Sequence, residues 1–393
     1  MQKLWIVTAA LIVLLLPVVA HSTTITVRRD GTGDFGKLQP AIDAAAVGDT
    51  ILIGPGRYNE YDRSAHDPDP NHRIADVHTD NLTFRGTDRD AVIIGTEVLP
   101  TSTIWDFVTC FDLEGRSARF ESMTIENAAY GILDGAALQL QDVILRGHAE
   151  VGAISNTSYP MIVKNCIVED CYAGLMLGKW GVGTEIINTA FLRIYSRAIS
   201  ASYGADIEVR GCTFHLVDGG AKGVAISQDT HAHIVDCQFD FDGVGNGVVL
   251  YNSSIADVES CHFGVGFADI TVGRLSHLNG TGNVLEGGTL CTIVFADEAT
   301  ANFTRNDIRH STGPTVLLDH YDLFGEESLD FRHNYWGTDS ADSIAAWVHD
   351  AQDDPNLAAT VLFKPFRRKP YNKKSHFGGL KGGFRGGKAI PHE

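Results

Sequence analysis

The chain has 393 residues, 44% of them hydrophobic, with 41 glycines and a formal net charge of −18. That hydrophobic content excludes disorder throughout, and the glycine count suits many short strands and turns rather than long helices. The charge is uneven: from Lys364 onward nine Lys/Arg face one acid, which with Lys3 set aside leaves 21 basic against 48 acidic residues, a net of −27. A body this acidic repels nucleic acid and anionic membrane, so neither is expected as a partner.

In chain order, Lys3 gives a positive start, Trp5 to Leu16 is apolar, and Val18-Val19-Ala20 offers a small-residue exit. These are the parts of a secretory signal peptide over residues 1–22, which predicts a secreted or periplasmic protein. The apolar run is short for a bilayer, and no other segment is long enough, so no membrane span is expected. Leu38, Ile42 and Ala45 then form an apolar stripe that suits a short capping helix, with Pro40 tolerable in its first turn. An insertion from Tyr61 to Asp80 holds His66, Asp67, Asp69, His72, Asp76, His78 and Asp80. It has metal-ligand chemistry without a recognised ligand spacing, and reads first as an exported loop.

From residue 118 onward one pattern repeats. The column Met123, Val143, Cys166, Thr189, Cys212, Cys237, Cys261, Asn283, Asn306 and Asn334 advances by 20 to 28 residues per step. Two places later it reads Ile125, Leu145, Val168, Phe191, Phe214, Phe239, Phe263, Leu285, Ile308 and Trp336. The positions three and five places earlier are also apolar or small, and "AGLML", "KGVAIS" and "NGVVLY" alternate apolar residues at period 2. Units of about 23 residues with three brief strands cannot close alone and must stack on their neighbours. The prediction is an all-β solenoid, a right-handed parallel β-helix of about twelve coils, with short helical caps at both ends. At about 4.8 Å per coil the rod is on the order of 50 Å long. Asp342 to Val348 supplies the second helical cap and "TVLFKPF" a final strand. The domain thus spans residues 23–365, and the Gly/Lys-rich stretch 366–393 reads as a disordered basic tail.

The opening "ITVRRDGTGDFGKLQPAIDAAAVGDTILIGPGRYNE" and the closing "HNYWGTDSADSI" and "DDPNLAATVLFKPF" resemble segments of the pectin-lyase-like superfamily, specifically secreted bacterial β-helix repeat proteins. The resemblance implies the β-helix fold but no single activity, because this fold hosts lyases, hydrolases, esterases, epimerases and non-enzymes. Motif by motif, the known active sites of these enzymes are not matched. "QDT" (Gln228, Asp229, Thr230) resembles the pectinesterase segment, yet His231 follows it and no Arg-Pro-Trp exists. "GHA" at Gly147 stands where β-helix hydrolases carry Gly-His-Gly, and "HDPDPNH" from His66 only mimics an Asp-Pro-His site.

Parity supplies the site candidates. Four places before the Cys column, successive coils present Glu185, Glu208, His233 and Asp257 outward, and stacked like charges call for a cation such as calcium or a substrate group among them. Glu208, His233 and Arg210 are the catalytic candidates, and Glu185, Glu208, His233 and Asp257 the candidate metal ligands. Nine places before the column, Trp180 and Tyr203 form an aromatic pair suited to stacking on sugar rings. A solvated face with an aromatic turn stack is the competing reading. The expectation is an exported protein that binds or processes extracellular polysaccharide or a cell-surface glycan, lyase- or hydrolase-like if catalytic. The alternatives are a non-catalytic envelope structural protein and a periplasmic metal-delivery accessory. Cys212, repeated along the rod and exchanged for Thr and Asn, reads as a buried inert thiol.

Overall fold

The computed structural model describes residues 22–60, 71–98, 107–155, 158–310, 312–319 and 327–371. Residues 1–21 of the expected signal peptide, His66, Asp67 and Asp69 of the insertion, and residues 372–393 of the expected tail lie outside the described residues. Within them the fold is a right-handed parallel β-helix with two short helices. Every strand pairing is parallel, and each strand aligns with its counterpart one coil away.

One coil shows the plan. Ala173–Leu177 lies on what is called here the third face, Val182–Ile187 on the first, Ala190–Ile194 on the second, and Arg197–Ala201 returns to the third. The third face is a continuous ladder of twelve strands among the described residues, running from Asn71–Asp76 to Val348–His349. The first and second faces are joined near the N-terminal end, where the nine-residue strands Ala118–Glu126 and Leu138–Arg146 run through the corner between them. Later coils break at that corner on one left-handed residue, at Asn165, Asn188, Gly211, Asp236, Ser260 and Gly282, all with φ between 50° and 69°. Asn, Asp and Gly tolerate that conformation best, which is why a polar or glycine residue precedes each step of the Cys column.

The side chain after each corner points into the core, and its chemistry explains the exchange of residue types. Cys212 Sγ donates to the Ile186 and Arg210 carbonyls, and Cys237 and Cys261 repeat this on their own coils. Thr189 Oγ1 donates to Ile187 O, while Asn283 Nδ2 donates to Val258 O and Asn306 Oδ1. A thiol, a hydroxyl and an amide all meet the one requirement, a short donor for carbonyls at the corner. All seven cysteines are free and buried, and burial pushes up the thiols of Cys110, Cys171, Cys212, Cys237 and Cys291, and that of Cys166 to about 12. Behind this ladder Phe191, Phe214, Phe239 and Phe263 stack within 4° of parallel at 4.6–5.0 Å. Room for the rings comes from small residues on the third face: a Cβ at Gly247 would lie 2.7 Å from Phe263.

The helix Leu38–Ala44 buries Leu38, Ala41 and Ile42 against the N-terminal end. The second helix, Ala341–Trp347, starts two residues earlier than expected from Asp342, because Ser340 Oγ accepts from the Ser343 amide as N-cap. It lies inside the last coil rather than beyond it, joining Tyr335 to the third-face strand Val348–His349, and Trp347 stacks on His310 at 4.2 Å. The final strand Ala359–Leu362 pairs with Glu327–Asp330. The insertion also departs from the loop reading: Asn71–Asp76 is a third-face strand paired with Phe107–Asp112, because Ile74 and Ala75 reach the core.

Candidate functional site

The outer surface of the first face carries the candidate residues. In Asp206–Arg210, His231–Val235, Ile255–Glu259, His277–Thr281 and Thr300–Phe303 inward and outward positions alternate, and the outward ones are polar except for exposed Ile255 and for Val235 at a strand end. Backbone pairing sets Glu185, Glu208, His233, Asp257, Asn279 and Asn302 in one outward column. The column therefore continues two coils past the four residues singled out above. A second outward column lies two residues earlier, with Asp206, His231, Ile255, His277 and Thr300 in register.

Two depressions open on this surface and share Asp257. The larger, of about 300 Å³, is lined by Glu185, Asp206, Glu208, His231, His233 and Asp257 among others. The smaller, of about 190 Å³, is bounded by Asp257, Glu259, Asn279, Thr281 and Asn302 together with Thr304.

Each predicted carboxylate has a partner supplied by the chain. Lys164 Nζ lies 2.7 Å from Glu185, and Arg210 lies 2.6 Å from Glu208 on the same strand, so the Arg210 guanidinium is tied to that acid. His233 Nε2 stands 3.9 Å from Glu259. Asp257 is the most engaged: Oδ1 accepts from Asn279 Nδ2 at 2.8 Å and Oδ2 is 2.8 Å from His231 Nε2. Partial burial acts to raise the Asp257 pKa, but the bonds from Asn279 and His231 and the histidine charges outweigh it and hold the carboxyl below its ordinary value. Asn279 is held in turn, its Oδ1 2.9 Å from His277 Nε2, and His277 Nδ1 is 2.7 Å from Thr300 Oγ1. One polar chain thus crosses four coils. Asp206, His231, His277 and Thr300 were missed because only the column four places before the Cys column was followed, and Asn279 because that column was followed for only four coils. The same periodicity read six places before it gives Asp206, His231, His277 and Thr300.

The aromatic pair sits at the corner where the third face turns into the first. Trp180 and Tyr203 are 60% and 48% exposed and both have left-handed φ. They are not directly opposed, as equal spacing from the column predicts. A bulge between Val182 and Thr184 shifts the register by one, and Trp180 lies over Gly204, where a Cβ would stand 2.9 Å from the indole. The "QDT" segment is part of this corner: Gln228 and Asp229 both have positive φ, and Thr230 is buried with Oγ1 bonded to Ser227 O.

Two His/carboxylate groups lie elsewhere. Asp76, His78 and Glu114 gather beside the insertion, and His215, Asp240 and Asp242 on the second face, each with its ligand atoms within 4.8 Å of one another. His72 stands on the strand that leads to Asp76, and Asp80 Oδ1 accepts from the Ser117 amide.

No protein-family model matches this chain, and no curated protein does. Among solved structures it is similar to the catalytic unit of a thermostable GH87 α-1,3-glucanase from Streptomyces thermodiastaticus strain HF3-3. That match has 11% identity and a TM-score of 0.46, and covers 90% of this chain and 69% of the other. It is also similar to ORF18 of Geobacillus virus E2, at 11% identity and a TM-score of 0.24, covering 76% of this chain and 62% of that one. Among the described residues no helix is long and apolar enough to cross a membrane.

Proposed function

We propose that the first face binds an extracellular polysaccharide laid along the rod axis. The observation that carries this reading is the pair of adjoining depressions that share Asp257, lined by hydroxyl-, amide-, imidazole- and carboxylate-bearing side chains repeated at the coil spacing. A ligand that meets the same kinds of group at each repeat is a polymer, and sugar hydroxyls match this mixture of donors and acceptors. Exposed Trp180 and Tyr203 at the adjoining corner add apolar faces for sugar rings. Within the reading, Glu208, His233 and Arg210 are the groups nearest to proton-transfer chemistry, with Glu185 and Asp257 completing the polar wall. Calcium would meet carboxylates already paired with Lys164, Arg210 and His231, so it enters as a variable of the test.

The test is calorimetry with neutral, N-acetylated, amine-bearing and uronate hexasaccharides, each with and without calcium. At least one should bind, and Trp180→Ala or Tyr203→Ala should weaken it about fivefold, near 1 kcal/mol. Reducing-end and unsaturated-product assays on the same panel separate binding from processing. Absence of binding to every oligosaccharide in both conditions would sink the proposal.

A further inference from the structure

A further depression, of about 430 Å³, lies at the corner where the third face turns into the first. It is lined by Asn252, Ser253, Arg274, Leu275, Asp297 and Glu298, two residues from each of three successive coils. All six have left-handed φ, between 48° and 63°. Their backbones tie the turns together, the Ser253 amide donating to Arg274 O and the Leu275 amide to Asp297 O. The hollow is therefore shaped by the stacking of the coils and needs no ligand to form.

Among the described residues, the Arg274 guanidinium and the Asp297 and Glu298 carboxylates form no ion pair and no side-chain hydrogen bond. On the first face, by contrast, Glu185, Glu208 and Asp257 are each met by a side chain of the protein. Groups of both signs that line one hollow without meeting leave space for a ligand that carries both. Leu275, 61% exposed, adds an apolar contact beside them. Sugar hydroxyls are uncharged and a uronate carries one sign only, whereas a short peptide with a free amine and a free carboxylate carries both. Position links the hollow to the glycan surface. Ser253, Leu275 and Glu298 each stand four residues before Asp257, Asn279 and Asn302, which bound the smaller first-face depression. Four residues of extended chain span about 13 Å, which a bound peptide covers with about four residues of its own.

We infer that the corner depression receives a peptide side group, and that the polysaccharide taken by the first face is one whose sugars bear short peptides. This rests on the polysaccharide reading above and narrows it to a substrate class. In this arrangement a peptide carboxylate pairs with Arg274 and a peptide amine with Asp297 and Glu298. The sugar that bears the peptide stays among Asp257, Asn279 and Asn302.

The experiment is calorimetry at pH 7.5 and physiological salt, which screens the field of the acidic body beyond about 8 Å. It compares six-sugar peptidoglycan strands bearing tetrapeptides with one free amine, the same strands trimmed to dipeptides, and an N-acetylglucosamine hexamer. The tetrapeptide strand should bind about fivefold tighter than the other two, as two exposed ion pairs together imply. A dipeptide spans only about 7 Å and falls short of the hollow. Arg274→Gln should bring the ratios of affinities close to one, and so should the double variant Asp297→Asn/Glu298→Gln. Equal affinities in the wild type, or a tetrapeptide gain that survives either variant, would overturn the peptide site while leaving polysaccharide binding in place. Binding confined to the peptide-free oligosaccharides would do the same. If no glycan of either set binds, both readings fall together.

Discussion

His148 offers the sharpest test of how this core is held. The ring is 1% exposed, its Nε2 lies 3.1 Å from the Ile125 carbonyl, and Nδ1 has no hydrogen-bond partner. Burial lowers the pKa to about 4; the carbonyls of Ile125 and Ala128 and the charge of Glu126 oppose this without cancelling it. In the unfolded chain the same group titrates near 6.5. Between these values the unfolded chain binds the extra proton, so stability rises with pH in that window: it is fully present above pH 6.5 and is lost as pH falls toward 4. A separation of about 2.5 pK units corresponds to roughly 3 kcal/mol. The perturbation is His148→Gln, which keeps a donor for Ile125 and cannot ionise. Urea unfolding of both proteins across pH 4.5–7.5, read on the transition that includes this coil, should show the wild-type midpoint falling more steeply toward acid than the variant's. The His148 ring proton should not titrate above pH 5. Parallel midpoint curves, or a titration near pH 6.5, would refute the account of a buried neutral imidazole.

Asp269 works in the opposite sense. It is fully buried with no hydrogen-bond partner for either carboxylate oxygen, and burial raises its pKa well above the ordinary value; the Gly287 amide opposes this without completing a hydrogen bond, and Glu286 adds to it. The folded chain holds the proton longer, so stability falls as pH rises past 3.8, and Asp269→Asn should gain on the wild type by more than about 1 kcal/mol at pH 8 but not at pH 4. Asn306→Ala removes the acceptor of the Asn283 amide and donors to Gly280 and Thr304, leaving buried groups unpaired, and should cost about 3 kcal/mol in denaturant unfolding. Gly247→Ala sets a Cβ 2.5 Å from the Asp269 carbonyl and 2.7 Å from Phe263, and should lower the melting temperature by several degrees, whereas an unchanged value would show that the Phe stack yields.

The coil period, the inward columns and the turn chemistry were all legible in one dimension. In a stacked solenoid an inward position recurs each coil, so Cys, Thr and Asn line up by simple counting, and their shared role as donors follows from side-chain chemistry. Counting also put Glu185, Glu208, His233 and Asp257 on one outward line, because strand parity settles which side a residue faces. It could not say which outward groups meet. The one-residue bulge at Val182–Thr184 moved Trp180 off Tyr203 and onto Gly204. Rotamers carried His231 across to Asp257 of the next coil, while Arg210 turned back onto Glu208 of its own strand.

The amino-acid sequence by itself determined the solenoid, since hydrophobic periodicity is a property of spacing along the chain. Only the tertiary structure decided the polar chain from Thr300 to His231, because which side chains of adjacent coils hydrogen-bond is set by side-chain direction and local register, which spacing does not encode.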